Sequence, residues 1–283
     1  MKVKAYSKIN LTLDILNKRD DGFHTLKSVL VPISLYDSIT VEKSGELSFS
    51  CDIPELRGDD NYCVRAAKLF FQNTGISGGA AIKLQKHIPY PAGLGGGSSD
   101  AAAVLNCLNA LYDFPLTREE LLAAGAAVGS DVPFCMAGVP SLCEGRGEIL
   151  THLDSIPKLY ITVAIGGSRM PTSKAFAAYD ESAVKPTDFT DKFVAALKNG
   201  DRRGMTSAMG NAFTDVCAKL CPETKEMRSR LRSCGAEAAI LSGSGPSVFG
   251  VFAAKERSVA AAKDLRARGF FAVDCETLEN ISQ

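Results

Sequence analysis

Pro91-Ala92-Gly93-Leu94-Gly95-Gly96-Gly97-Ser98-Ser99-Asp100-Ala101-Ala102-Ala103 is the stretch on which the reading of this chain turns. Four glycines and two serines fall within the seven residues Gly93 to Ser99, and a strong helix former follows. Glycine removes the side chain that would keep a ligand away from the backbone. Successive N–H groups in such a turn converge on an anion, and the N-terminus of the next helix adds partial positive charge. The stretch therefore reads as a phosphate-binding loop. A flexible linker would share the glycines, but it would not run straight into Asp100-Ala-Ala-Ala-Val-Leu105.

Three common phosphate loops do not fit. A Walker loop ends in Gly-Lys-Ser/Thr, and no lysine follows these glycines. A dinucleotide fingerprint spaces its glycines as Gly-x-Gly-x-x-Gly inside a βαβ unit, which Gly93-Leu-Gly-Gly-Gly-Ser-Ser does not. A protein-kinase loop comes with His-Arg-Asp and Asp-Phe-Gly, and neither tripeptide is present.

Composition narrows the class. With 283 residues the chain can form one large domain or two ordinary ones, and 46% hydrophobic with 23% charged residues is the balance of a soluble globular protein. Basic and acidic residues number 32 each, so neither a basic nucleic-acid surface nor an acidic tail is expected. No apolar run reaches the ~18 residues of a membrane span. Polar residues in Met1-Lys-Val-Lys-Ala-Tyr-Ser-Lys8 interrupt any signal-peptide core, so a cytoplasmic protein is expected. The nine cysteines are odd in number, form no Cys-x-x-Cys and accompany only three histidines; free, mostly buried thiols are expected rather than disulfides or a zinc site. Cys217 and Cys221, four apart, could share a helix face.

Along the chain, Ile9–Ile15, Leu26–Leu35 and Asp37–Phe49 read as strands, with a polar turn at Asn17–Gly22. Asn61–Asn73 reads as a helix and Ala80–Gln85 as a strand leading into the loop. After the loop, Ala101, Val104, Leu105, Leu108 and Leu111 form the apolar stripe of a helix buried on one broad face. Thr117-x-x-Glu120 is a capping box opening another helix. Beyond residue 151 come a strand at Leu159–Ile165, helices at Asp188–Lys198 and Pro222–Cys234, and strands at Ala236–Leu241 and Ser247–Phe252 joined by Ser242-Gly-Ser-Gly-Pro246. A helix at Lys255–Arg268, stopped by Gly269, and a strand at Phe270–Val273 complete it. Without regular βαβ alternation the class is α+β, and the expected division is 1–150 and 151–283.

The glycine stretch resembles the Pro-x-x-x-Gly-Leu-Gly-Ser-Ser-Ala pattern of the GHMP kinases, here with an extra glycine and an aspartate. Two further motifs agree in order: the lysine strand Ala5-Tyr-Ser-Lys8-Ile-Asn10-Leu before it and the second glycine turn Leu241-Ser-Gly-Ser-Gly-Pro-Ser-Val248 after it. Asp21-Gly-Phe-His24-Thr-Leu, Gly129-Ser-Asp131-Val-Pro-Phe and Glu144-Gly-Arg-Gly-Glu-Ile-Leu150 resemble the branch whose acceptor is 4-diphosphocytidyl-2-C-methyl-D-erythritol. The resemblance implies a two-domain fold. Its ATP-binding N-terminal domain would be like ribosomal protein S5, its C-terminal domain a ferredoxin-like α/β sandwich, and the active site the cleft between them. It also implies transfer of the ATP γ-phosphate to the acceptor's 2-hydroxyl in the methylerythritol phosphate route to isopentenyl diphosphate, with Mg²⁺ on the phosphates and a monomer or weak homodimer. Mevalonate- or homoserine-type kinases and a non-catalytic sensor share the same pattern in part.

Residue by residue, the resemblance assigns Asp131 as base and Lys8 as the cation near the hydroxyl and the transferring phosphate. A tertiary hydroxyl is a poor nucleophile and needs both. In a loose transition state Asp131 orients more than it deprotonates. Read alone, Lys8 is a solvated strand lysine and Asp131 a helix cap; the resemblance, with both in register, turns the reading to function. Pro91, Ala92, Gly93, Leu94, Gly95, Gly96, Gly97, Ser98 and Ser99 are expected around the ATP phosphates. Asn61, in Asp60-Asn-Tyr-Cys-Val-Arg65, is expected near the adenine or as a helix N-cap. Phe23 and His24 are expected to read the cytosine, with Phe176 closing the stack or sitting in the core. Asn10 binds substrate or supports Lys8 in this reading. No protein ligand of magnesium is assigned; Asp131 and a loop serine stay open.

Overall fold

The structure, a computed structural model, describes residues 1–154, 156–182 and 186–281. Two long strands start the chain, β1 (Lys2–Lys18) and β2 (His24–Ser44), paired antiparallel with register shifts after Tyr6, Asn10 and Ile15. β1 extends well past Ile9–Ile15, whereas β2 runs unbroken through Leu26–Leu35 into the segment read as Asp37–Phe49 and stops at Ser44, before β3 begins. Next come β3 (Ser48–Cys51), α1 (Tyr62–Thr74), β4 (Gly79–Gln85), α2 (Gly96–Leu111), α3 (Arg118–Val128), α4 (Val132–Ala137), β5 (Ser141–Gly145) and β6 (Ile149–His152). The second half holds β7 (Tyr160–Ile165), α5 (Thr172–Asp180), α6 (Phe189–Lys198), α7 (Arg202–Ala208), β8 (Gly210–Asn211), α8 (Thr214–Leu220) and α9 (Glu223–Ser233). It ends with β9 (Ala238–Leu241), β10 (Val248–Phe252), α10 (Lys255–Ala267) and β11 (Phe271–Glu276).

Two sheets result. The first runs β3-β4-β2-β1-β8, with β5 also on β2 and β6 on β5. The second is antiparallel, in the order β11-β7-β10-β9. Counted among its own strands that is fourth, first, third, second, the ferredoxin-like order, with α9 and α10 packed on it. The α+β class stands as read.

Local chemistry explains the ends of the elements. Asn61 caps α1 by accepting from the Cys63 N–H at 2.8 Å, and Gly75 closes the helix at φ 65°. Thr117 and Glu120 form the capping box of α3.

The helix after the glycine loop departs from expectation. Instead of one broad face, α2 buries Ser99 to Leu105 without a break. Its alanines let α1, α3 and α4 approach on one side and β1 and β2 on the other. A second apolar cluster joins the two sheets, bringing Ile9, Leu11 and Val31 together with Ile161, Val163 and Phe249. All nine cysteines are free, eight of them buried. Among the described residues no helix is long and apolar enough to cross a membrane.

Candidate active site

The site grows from the point where β1 meets the glycine loop. The Lys8 N–H donates to the Leu94 carbonyl at 3.0 Å and the Ser7 hydroxyl to the same oxygen at 2.9 Å. The Lys8 side chain is buried against Gly95, which takes φ +68° as the residue capping α2. A Cβ on Gly95 would lie 2.7 Å from Lys8 Cγ, so both the backbone angle and the space require glycine there. Lys8 Nζ then donates to Asn10 Oδ1 at 2.9 Å and pairs with Asp131 Oδ2 at 3.2 Å. Asn10 in turn donates to Ser28 Oγ at 2.8 Å. Both alternatives for Asp131 meet here: it occupies the N-cap position of α4 but makes no capping hydrogen bond, leaving its carboxylate to Lys8.

The second glycine turn braces the first. Ser242 Oγ donates to the Gly93 carbonyl at 3.0 Å, and the Ser247 hydroxyl donates to the Ala92 carbonyl. Gly93, at φ +72°, leaves no room for a side chain: a Cβ would sit 2.4 Å from the Ser242 carbonyl oxygen. Asn211, at the end of β8, holds the turn from behind by donating to the carbonyls of Leu241 and Gly243 at 2.9 and 2.8 Å.

Two cavities flank the loop. One, of about 380 Å³, is lined by Pro91 to Ser98 together with Glu55, Asn61, Tyr62, Lys86 and Tyr90. The other, of about 720 Å³, holds Lys8, Asn10, Phe23, His24, Ser98, Asp131, Arg146, Phe176, Asp180 and Ser244. Gly93, Gly95, Ser98 and Tyr62 belong to both. Asn61 faces the smaller cavity, yet both ends of its amide are engaged, one by Cys63 and the other by the Leu56 carbonyl at 2.8 Å.

At the far end of the larger cavity the His24 and Phe176 rings stack, centroids 4.8 Å apart and tilted 21°. His24 Nε2 lies 2.7 Å from Asp180 Oδ1, and Lys18 pairs with the other oxygen of that carboxylate. Phe176 also sets its edge on Phe213. Phe23 is 51% exposed, with the Arg146 guanidinium 3.9 Å from its ring centre.

Under the loop lies a buried charge cluster that the sequence did not announce. Lys86 forms ion pairs with Asp37 and, at 2.8 Å, with Asp100. Asp37 also accepts from the backbone N–H groups of His87 and Ile88. Asp100 Oδ1 has no hydrogen-bond partner. Burial pushes the Asp100 carboxyl up to about 8, with Lys86 opposing and Asp37 adding to the rise. For Lys86 burial works against the charge, but the two carboxylates outweigh it and the ammonium is held more firmly than usual. The extra aspartate in the glycine motif marked one member of this cluster; nothing local marked Asp37 or Lys86. Tyr62, Arg146, Asp180 and the Thr172–Ser244 hydroxyl pair at 3.1 Å likewise came from the fold.

Known proteins resemble this chain over nearly its whole length. Residues 61–139 match the GHMP kinases N terminal domain and residues 193–269 the GHMP kinases C terminal. A 4-diphosphocytidyl-2-C-methyl-D-erythritol kinase of Caldicellulosiruptor saccharolyticus is 40% identical, over 94% of this chain and 93% of the relative. One of the same name from Caldanaerobacter subterraneus is 38% identical, again over 94% and 93%. The crystal structure of a 4-(cytidine 5'-diphospho)-2C-methyl-D-erythritol kinase superposes with a TM-score of 0.84 at 34% identity, covering 98% of this chain and 99% of the other. With a glycine loop, a lysine strand and a bracing glycine turn in one place, and relatives of this identity over nearly the whole length, the chain belongs to the 4-diphosphocytidyl-2-C-methyl-D-erythritol kinase family of the GHMP kinases.

Proposed function

We propose that this chain transfers the γ-phosphate of ATP to the 2-hydroxyl of 4-diphosphocytidyl-2-C-methyl-D-erythritol, giving the 2-phosphate and ADP. The observation that carries the reading is the Lys8–Asp131 pair in the wall of the larger cavity, with the Lys8 stem against Gly95, a residue that both cavities share. ATP takes the smaller cavity, its phosphates on the N–H groups of Gly93 to Ser99 and the N-terminus of α2. The acceptor takes the larger one, its cytosine beside Phe23, His24 and Phe176 and its hydroxyl at Asp131.

Asp131 orients the hydroxyl and accepts its proton as the oxygen bonds to the γ-phosphorus; the bond from that phosphorus to the β,γ-bridging oxygen breaks, and ADP leaves with the electron pair. Lys8 Nζ, fixed by Asn10, faces the charge that moves through the transferring group. Magnesium, when bound, neutralises charge on the phosphates. Among the described residues no group of three or more His, Cys, Asp or Glu could hold a metal ion. Asp131 or the loop serine Ser98, both lining the larger cavity, would supply a protein oxygen to an ion carried mostly by phosphate and water.

We place the division of the chain near residue 150, because β1 to β6 of the first sheet end at His152 and β7 opens the second at Tyr160; the two-residue β8 returns to the first sheet from the second half. The test of function is ADP release with three acceptors: 4-diphosphocytidyl-2-C-methyl-D-erythritol, mevalonate and homoserine. Turnover with the first alone is expected; turnover with mevalonate or homoserine and not with the first overturns the reading.

A further inference from the structure

Tyr62 is the first residue of α1, and it is the one large side chain shared by both cavities; the other three shared residues are Gly93, Gly95 and Ser98. Its ring spans two glycine backbones. A Cβ on Gly97, in the glycine loop, would lie 3.5 Å from Tyr62 Cδ2; one on Gly129, two residues before Asp131, would lie 3.2 Å from Tyr62 Cε2. Ser98 Oγ approaches the same Gly129 position at 3.8 Å. The Arg65 guanidinium sits over the ring, 5.1 Å from its centre. The Tyr62 hydroxyl makes no hydrogen bond among the described residues, so its contribution here comes from the ring.

We propose that Tyr62 is a positioning residue that sets the glycine loop against the Gly129–Asp131 turn and seals the junction of the two cavities against water. This role rests on the reading of function above, in which the γ-phosphorus passes through the junction. Water there would compete with the acceptor: its oxygen would bond to the γ-phosphorus, the bond to the bridging oxygen would break, ADP would leave with the electron pair, and a proton would go to solvent. A flat aromatic ring fits the task, since it covers two side-chain-free backbones with two torsions to fix and offers no proton acceptor as strong as a carboxylate. A ring removed from this place loosens the loop relative to Asp131, and misplacement of that kind costs turnover far from any bond-making atom.

The test compares wild type with Tyr62→Ala, Tyr62→Leu and Tyr62→Phe, using ATP, Mg²⁺ and 4-diphosphocytidyl-2-C-methyl-D-erythritol. Three quantities are read: phosphorylated product per ADP, phosphate released from ATP without acceptor, and the split between kcat and the KM for ATP. Tyr62→Ala is expected to lower kcat by ~10-fold or more with the KM for ATP changed by less than ~3-fold. Its acceptor-independent phosphate release is expected to rise ~10-fold and its product per ADP to fall. Tyr62→Phe is expected to bring every readout back to within ~3-fold of wild type, because the ring is kept. Should Tyr62→Ala not fold, Tyr62→Leu decides by the same ratios. Wild-type product per ADP together with unchanged phosphate release in the smaller variants overturns the proposal. If wild type phosphorylates no cytidine acceptor, the reading of function falls instead, and phosphate release from ATP alone still decides whether Tyr62 excludes water.

Discussion

Lys8 Nζ and Asp131 Oδ2 lie 3.2 Å apart, one on the first strand and the other at the start of α4, with the lysine buried and the aspartate a third exposed. The exposed edge of the carboxylate faces the larger cavity, and Asn10 holds the ammonium from the far side. The carboxylate proposed to take the proton is thus fixed beside a buried cation held on its other side by Asn10. Asp131→Asn keeps the shape and removes the proposed base. Its kcat is expected to fall ~10²- to 10⁴-fold, with ATP affinity within ~3-fold of wild type, read by steady-state turnover and equilibrium nucleotide binding.

Two glycines with positive φ separate backbone strain from lost geometry. Gly22, at φ +83°, has nothing within 4 Å of a built Cβ, whereas Gly95, at φ +68°, would drive one into the Lys8 stem. Gly22→Ala is expected to cost ~1 kcal/mol of stability from the angle alone and to leave kcat within ~3-fold. Gly95→Ala is expected to cost more and to lower kcat at least ~10-fold by moving the ammonium. Thermal melts alongside kcat distinguish the two.

His24 is held by a ring on one face and a carboxylate at its Nε2. Asp180→Asn weakens the second hold without touching the loop. The KM for the cytidine acceptor is expected to rise ~5- to 10-fold while the KM for ATP stays put, since a weakened charge-assisted hydrogen bond is worth ~1–3 kcal/mol. A parallel rise in both KM values would show that Asp180 acts through the whole fold.

Asp100 gives the molecule a pH dependence of known sign. Its carboxyl is raised from the ordinary 3.8 to about 8 in the folded chain, so the native state holds the proton more tightly than the unfolded one. The stability this gives is complete below the unfolded value and is lost as pH rises through about 8. Asp100→Asn keeps an oxygen for Lys86 and cannot ionise. Its melting temperature relative to wild type is expected to climb between pH 5 and pH 9, measured by scanning calorimetry. A difference independent of pH would contradict the assignment.

Much of this was legible beforehand, and particular residues show why. The glycine run, the capping box at Thr117 and the alternation of β1 and β2 are local signals, each within a few residues of what it determines. Helices α5, α7 and α8 were not foreseen, and α4 was announced only by the reading of Asp131 as a cap: α4, α7 and α8 have six or seven residues, too few for a period to show, and α5 buries only Ala175. Lys86 looks like any strand-end lysine until the fold closes Asp37 and Asp100 around it. Phe176 was placed by resemblance. Its stack on His24 depends on α5 lying against the β1–β2 hairpin, which no local pattern states. Asn61 shows a residue serving a cap and a cavity wall at once, so neither reading of it excluded the other.

The most direct measurement is phosphorus NMR of wild type and Asp131→Asn, each incubated with ATP, Mg²⁺ and 4-diphosphocytidyl-2-C-methyl-D-erythritol. For wild type the account predicts ADP and one new phosphomonoester, coupled to the carbon that bore the 2-hydroxyl; for Asp131→Asn it predicts bound ATP and next to no ester. An ester at another position, no ester from wild type, or an ester formed by Asp131→Asn at the wild-type rate would contradict it.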